Sequence, residues 1–279
     1  MTIFPCAKIN LGLNIVSKRP DGYHNLETVF YPIPLTDGLE IKSMDQDFPS
    51  EVPCDLKITG NAVDCNESQN LVVKAYDLIA NDFNIPRVHA HLDKKIPSPA
   101  GLGGGSSDGA FMIRLLDERF RLNIGVAEME RYAAKLGADS AFFITASPAY
   151  ATGIGNLLEP IDDSCGCLTG YHVVIVKPDI AVSTRDAYRM IMPKQPSMSC
   201  RTILQQPIET WKNELINDFE PPVFSRHPEL RNIKEHLYSL GADYAQMSGS
   251  GSALFGIFKE QPHGIEETFK EHFTFMVQL

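Results

Sequence analysis

Apolar and polar residues alternate near the start of the chain. Ala7, Ile9, Leu11, Leu13 and Ile15 fall on one side of an extended backbone, and Lys8, Asn10, Gly12 and Asn14 on the other. This period of two predicts a strand. Short apolar runs at Val29-Phe30-Tyr31, Leu39-Glu40-Ile41 and Leu56-Lys57-Ile58, set apart by Pro, Gly and Asp, predict further strands. The period then changes. Over residues 69–82, Leu71, Val72, Ala75, Leu78 and Ile79 recur at helical spacing behind Asn66-Glu67-Ser68. Val88, Ala90 and Leu92 return to alternation. A second helical stripe, Ala110, Phe111, Ile113, Leu115 and Leu116, is opened by Ser106-Ser107-Asp108. Residues 127–136 read as another helix, closed by Gly137.

The pattern breaks at I-D-D-S-C-G-C-L-T-G, within residues 160–170, which predicts a boundary between domains 1–160 and 161–279. Beyond it come a strand at 172–176 and helical stretches near 184–192, 201–206 and 229–240. Strands at 244–247 and 253–258 flank Ser248-Gly249-Ser250-Gly251-Ser252, and a helix near 264–271 and a last strand finish the chain. Strands and helices mix without strict alternation, so the fold class is α+β rather than a doubly wound sheet. Residues 194–210, rich in Pro, Ser and Gln, carry no readable pattern.

The stretch between the alternating residues 88–92 and the second helical stripe changes this picture most. It reads Pro97-Ser98-Pro99-Ala100-Gly101-Leu102-Gly103-Gly104-Gly105-Ser106-Ser107. Strand, glycine loop and helix start together form a phosphate cradle, because bare backbone amides and the helix dipole both favour an anion there. A lone glycine turn would not explain why the serines and the helix begin where they do. No lysine follows the glycines, which excludes a Walker loop, and a G-x-G-x-x-G dinucleotide fingerprint is not completed. The H-R-D and D-F-G triplets of protein kinases are absent.

Composition narrows the class further. A formal charge of −10 over 279 residues argues against a nucleic-acid partner. No apolar run approaches the ~20 residues needed to cross a bilayer, and the first residues lack the basic and apolar regions of a secretion signal. The expected location is cytoplasmic. Six cysteines, of which only Cys165 and Cys167 are close, lack zinc-site spacing and read as reduced thiols.

Four further places hold candidate chemistry, each with a plainer reading beside it. Lys8, between apolar neighbours and on the side of Asn10, is most simply a lysine on a solvent-facing strand surface. Asp139, in K-L-G-A-D-S-A-F-F-I, closes a turn or serves as a base. Tyr23 and His24, in D-G-Y-H-N-L-E-T-V-F, belong to a hairpin turn or read a heterocycle. Gly249, Ser250 and Gly251 form an ordinary turn or a second loop close to an anion.

Taken in order, P-C-A-K-I-N-L, D-G-Y-H, G-L-G-G-G-S-S, L-G-A-D and M-S-G-S-G-S resemble the GHMP small-molecule kinases over nearly the whole chain, from Pro5 to about Phe258. The glycine loop and the late S-G-S-G turn are general to that superfamily. P-C-A-K-I-N-L-G-L and D-G-Y-H-N-L-E-T-V-F are specific to its diphosphocytidyl branch, and they set mevalonate, homoserine and sugar kinases aside. The resemblance implies the two-domain GHMP kinase fold with its active site in the inter-domain cleft. It implies that ATP, with Mg²⁺, is bound by residues 97–107, that Asp139 is the catalytic base, and that Lys8 stands beside it. Tyr23 and His24 would meet the cytosine, Asn10 the reacting groups, and Gly249, Ser250 and Gly251 the substrate diphosphate. The implied reaction phosphorylates the C2 hydroxyl of 4-diphosphocytidyl-2-C-methyl-D-erythritol, a small-molecule substrate, in isoprenoid precursor synthesis. The implied protein is a monomer or homodimer with no membrane partner; the Mg²⁺ ligands stay open, Ser107 being one candidate. The chain departs from the family pattern at Pro99, Gly109 and Ala141, and Gly109 should weaken its helix by about 1 kcal/mol.

Overall fold

In the computed structural model, which describes residues 1–45, 52–63, 65–162 and 165–279, strands dominate the first part of the chain. These are β1 (Thr2–Ile3), β2 (Cys6–Lys18), β3 (His24–Thr36), β4 (Gly38–Ser43) and β5 (Cys54–Gly60). Next come α1 (Leu71–Asp82), β6 (Val88–Lys94), α2 (Gly104–Phe120), α3 (Val126–Leu136) and α4 (Phe142–Thr145). The remainder begins with β7 (Ala149–Thr152), β8 (Leu157–Pro160), β9 (His172–Lys177), α5 (Thr184–Arg189) and α6 (Cys200–Ile203). It continues through α7 (Ile208–Glu214), α8 (Glu220–Arg226), α9 (Pro228–Ser239), β10 (Tyr244–Met247), β11 (Leu254–Phe258), α10 (Ile265–Thr268) and β12 (Phe273–Gln278). Asp163 and Ser164, inside the pattern break at 160–170, lie outside the described residues. Among those described, no helix is long and apolar enough to cross a membrane.

Packing groups the chain into two compact units assembled from separated stretches rather than from two consecutive halves. The first comprises Met1–Ala7, Pro34–Ser98 and Gly103–Ser147. Its sheet has the order β1-β4-β6-β5, with β5 parallel to β6 and Leu56 opposite Ala90. Parallel neighbours need a crossover, and α1 supplies it. Asn70 starts α1 by accepting the Val72 amide at 2.9 Å. Gly109 has a packing reason: a Cβ there would stand 3.0 Å from both Leu136 Cδ1 and Leu71 Cβ. Its low helix propensity is offset by the close approach of α2 to the start of α1 and the end of α3.

The second unit comprises Lys8–Ile33, Pro99–Leu102 and Pro148–Leu279. It holds two sheets, β2-β3-β7-β8 and β10-β11-β9-β12. Leu13, Ile15 and Leu26 from the N-terminal strands share a core with Val174, Val176, Phe219, Leu254, Phe258 and Phe269. That shared burial draws residues near the start of the chain into the unit built by its end.

The expected alternation along β2 is present, but the polar side is not a solvent face. Residues 7–15 are all buried, and Lys8 is 2% exposed. The reason is a second layer over the polar side. At Gly12 the backbone turns left-handed (φ +69°), and its N–H donates to Gln246 Oε1 at 2.9 Å. A Cβ there would meet Leu215 Cδ1 at 2.6 Å and Cys200 Sγ at 2.7 Å, so only glycine fits. The N–H groups of Leu13 and Ile15 then go to Ile216 O at 2.8 Å and Asp218 Oδ2 at 2.7 Å.

Other expectations are met with shifted limits. The stretch near 184–192 is helical only over Thr184–Arg189, and that near 201–206 over Cys200–Ile203. α7 and α8 have no counterpart in the sequence pattern. α8 carries its prolines at the first helical positions, where a missing N–H costs nothing.

Candidate active site

In the first unit, the glycine run becomes a helix sooner than its serines suggest. Gly103 is the cap of α2 (φ +72°), and Gly104 and Gly105 are already helical, so Ser106 and Ser107 lie in the first turn. Gly104 sits where a Cβ would be 3.0 Å from Ile96 Cγ2, whereas a Cβ on Gly105 would meet nothing within 4 Å. One glycine therefore serves packing, and the other leaves an open face at the helix start. Ser107 Oγ, Asp108 Oδ1 and Ser140 Oγ are buried without a hydrogen-bond partner, three of the four such side-chain atoms among the described residues. Such atoms call for an explanation, an ordered water, an ion or a ligand being the usual ones.

The turn after α3 brings the predicted base to the same place. A Cβ on Gly137 would lie 3.4 Å from Ser140 Oγ and 3.8 Å from Ser106 Oγ, so the turn rests against the first turn of α2. Asp139 is half-buried on that turn, and the Ser140 N–H closes it on Gly137 O at 3.2 Å. Gly137 stops α3 as expected, but with an extended φ of 174° rather than a left-handed one.

Beneath the loop is a charge cluster absent from the sequence reading. Lys94 Nζ donates to Asp37 Oδ2 and, at 2.7 Å, to Asp108 Oδ2; all three side chains are almost fully buried. Asp37 Oδ1 also accepts the N–H groups of Lys95 at 2.5 Å and Ile96 at 2.8 Å. The cluster ties the strand leading into residues 97–107 to the helix leading out. Burial raises the Asp108 carboxyl well above the ordinary carboxylate range, and Lys94 offsets that only in part. Burial pulls the Lys94 ammonium down, but the two carboxylates outweigh it and leave the pKa raised.

In the second unit, Lys8 Nζ donates to Asn10 Oδ1 at 2.6 Å and to Gly101 O at 2.9 Å, and lies 5.3 Å from the Phe30 ring centre. The loop segment Pro99–Leu102 is fastened on both sides. Leu102 O accepts the Lys8 N–H at 3.0 Å, and Ala100 O accepts the Ala253 N–H at 3.0 Å. Gly101 is left-handed (φ +76°), and a Cβ on it would come within 2.0 Å of Ser248 O. The two glycine turns therefore touch backbone to backbone. A Cβ on Gly249 would stand 3.4 Å from Gly101 Cα and 3.5 Å from Asn10 Oδ1, so Lys8, Asn10, Gly101 and Gly249 form one cluster.

Tyr23 and His24 do not join that cluster directly. Tyr23 is 62% exposed, and His24 stacks on Tyr188 with ring centres 5.1 Å apart and planes 21° from parallel. α5 links the two places, because it carries Tyr188 and also Thr184, whose hydroxyl lies 2.8 Å from Ser250 Oγ. Burial, with Lys18 adding to it, holds the His24 imidazole below its ordinary pKa. Thr184 and Tyr188 lay in a stretch expected to be helical, but no motif marked them. Pro97 and Ser98 lead into the loop from the first unit.

The chain is similar to known proteins along its whole length. The family models described as GHMP kinases N terminal domain and GHMP kinases C terminal match residues 70–147 and 204–274. The chain is 51% identical over 279 residues, all of both chains, to the 4-diphosphocytidyl-2-C-methyl-D-erythritol kinase of Bacteroides fragilis (strain YCH46). To the enzyme of that name from Bacteroides thetaiotaomicron it is 51% identical over 261 residues, 94% of this chain and 93% of the relative. A crystal structure of 4-(cytidine 5'-diphospho)-2C-methyl-D-erythritol kinase superposes with a TM-score of 0.80 at 30% identity, covering 99% of this chain and 98% of that one. The Methanococcus jannaschii mevalonate kinase shares the fold at a TM-score of 0.71 and 14% identity, over 100% of this chain and 98% of its own. With the glycine loop, the Asp139 turn and the Lys8 cluster in place, the chain belongs to the 4-diphosphocytidyl-2-C-methyl-D-erythritol kinase family of the GHMP kinases.

Proposed function

We propose that the chain transfers the γ-phosphoryl group of ATP to the C2 hydroxyl of 4-diphosphocytidyl-2-C-methyl-D-erythritol, a step of the methylerythritol phosphate route to isoprenoid precursors. The observation that carries this reading is the end-to-end identity of 51% with kinases of that name. The family models fall on either side of residue 160, which supports family domains 1–160 and 161–279.

The residues fit the chemistry. The amides of α2's first turn, the open face of Gly105 and the unpartnered Ser107 hydroxyl suit a nucleotide phosphate and its Mg²⁺. When bound, Mg²⁺ neutralises charge on the transferring phosphate. Asp139 accepts the proton of the tertiary C2 alcohol, a poor nucleophile without a base. Lys8, fixed by Asn10 and Gly101, offsets the negative charge that develops. Exposed Tyr23 and the neutral His24, stacked on Tyr188, offer flat faces and ring nitrogens to a cytosine. Gly249, Ser250 and Gly251 border the diphosphate. Six thiols, none in a disulfide, fit a reducing cytoplasm.

The test is Asp139→Asn, with ATP affinity by calorimetry and turnover on the cytidyl substrate, mevalonate and homoserine. ATP binding is expected to persist while turnover on the cytidyl substrate falls by about 100-fold or more. Wild-type turnover in the variant removes Asp139 as the base. A wild-type preference for mevalonate or homoserine removes the substrate assignment.

A further inference from the structure

We infer that Thr28, a residue on β3, is a positioning residue for Lys8: its hydroxyl fixes which way the Asn10 amide faces, and so where the Lys8 ammonium is held. The inference rests on the assignment of Lys8 to the phosphoryl-transfer site. Thr28 is fully buried, and its hydroxyl donates to Gly12 O. A threonine hydroxyl has one proton, and that carbonyl, an acceptor only, takes it. The Thr28 oxygen is left able only to accept. Asn10 meets it with Nδ2, donating at 3.0 Å, and turns Oδ1 to Lys8 Nζ at 2.6 Å.

The opposite amide orientation fails at both ends. It sets Asn10 Oδ1 against an oxygen that has no proton to give, and Asn10 Nδ2 against an ammonium that can only donate. The chain from Gly12 through Thr28 and Asn10 to Lys8 therefore has one consistent assignment of donors and acceptors. Its origin lies in the backbone. The left-handed turn at Gly12 takes that residue's N–H to Gln246, and its carbonyl accepts the Thr28 hydroxyl. Asn10, 2% exposed, is shielded from the solvent that would otherwise replace a lost partner.

Thr28→Val keeps the shape and removes the hydroxyl, whereas Thr28→Ser keeps the hydroxyl and removes a methyl. If Thr28 acted through packing alone, the serine variant would be the worse of the two. The inference predicts the reverse. Thr28→Val is expected to lower kcat on the order of 10- to 100-fold with KM for ATP and acceptor nearly unchanged. Thr28→Ser restores most of kcat, and Thr28→Ala stands in for the valine variant should that one not fold.

A second measurement does not depend on turnover. In NMR of ¹⁵N-labelled protein, the Asn10 side-chain amide protons exchange slowly in wild type and Thr28→Ser, and fast in Thr28→Val. Wild-type kcat in Thr28→Val, a serine variant as impaired as the valine one, or unchanged Asn10 exchange each overturns the inference. If the wild type phosphorylates no cytidyl acceptor, the functional assignment fails while the exchange measurement still decides the role of Thr28.

Discussion

Replacing Lys94 with methionine probes the charge cluster beneath the glycine loop. The substitution removes the cation and leaves Asp37 and Asp108, 1% and 2% exposed, without their counter-charge. Removing one partner of a buried ion cluster costs about 3–5 kcal/mol, a large share of a total stability of about 5–15 kcal/mol. At this chain length the melting temperature should fall by about 6–20 °C. The two carboxylates respond differently. Asp108→Asn turns its oxygen to Lys94 and its amide to the side where Oδ1 has no partner, and it removes the surplus negative charge. Its effect should be smaller than that of Asp37→Asn, because relief of the surplus negative charge offsets the unmade bonds of its amide. Asp37→Asn cannot adapt in this way. Keeping its oxygen on the Lys95 and Ile96 amides turns its NH₂ toward Lys94, donor against donor, at a cost of about 1–3 kcal/mol. The pH dependence has a definite sign. The Asp108 pKa is raised in the folded state, so its contribution is fully present below the unfolded value and is lost as pH rises through the folded one. Asp108→Asn removes that slope. Urea unfolding of the three variants, repeated across pH, reads these terms directly. A methionine variant within 1 kcal/mol of wild type, or an Asp108→Asn as damaging as Asp37→Asn, would refute the reasoning.

Two further outcomes are expected. Gly101→Ala forces its Cβ against Ser248 O and moves the carbonyl that holds Lys8. Turnover should fall about 100-fold, and a wild-type rate in stopped-flow or coupled assays contradicts the close approach. His24, held below its ordinary pKa by burial, gains a proton only in more acidic medium than a free imidazole does, so KM for the cytidyl acceptor should rise on acidification while KM for ATP does not. An acceptor KM that stays flat on acidification while NMR shows the His24 ring taking up its proton removes His24 from base recognition.

The site was legible where one short segment carries both a pattern and its exception. Lys8 and Asn10 interrupt an alternating strand, and the glycines stop short of any better-known phosphate loop. Burial of the Lys8 side was not legible, because the covering residues Cys200, Leu215 and Gln246 come from the far end of the chain. The Asp37–Lys94–Asp108 cluster escaped for the same reason, its members being 57 and 14 positions from Lys94. α7 and α8 were missed because both are short, and Pro221-Pro222 reads as a breaker until it is seen at a helix start.

The way the second unit is assembled bears on how the chain is made. Leu13, Ile15 and Leu26 leave the ribosome early, yet their core partners run from Val174 to Phe269. At ~5–20 residues per second, the interval between Leu26 and Phe269 is roughly 12–50 s. For that time the core-facing side chains of the unit's first strands are apolar and uncovered, which is the situation chaperones exist to cover. A product truncated near residue 160 never leaves it. It retains β2 and β3 without the sheet that buries them, so cutting between the two family domains yields a sticky fragment rather than two half-enzymes.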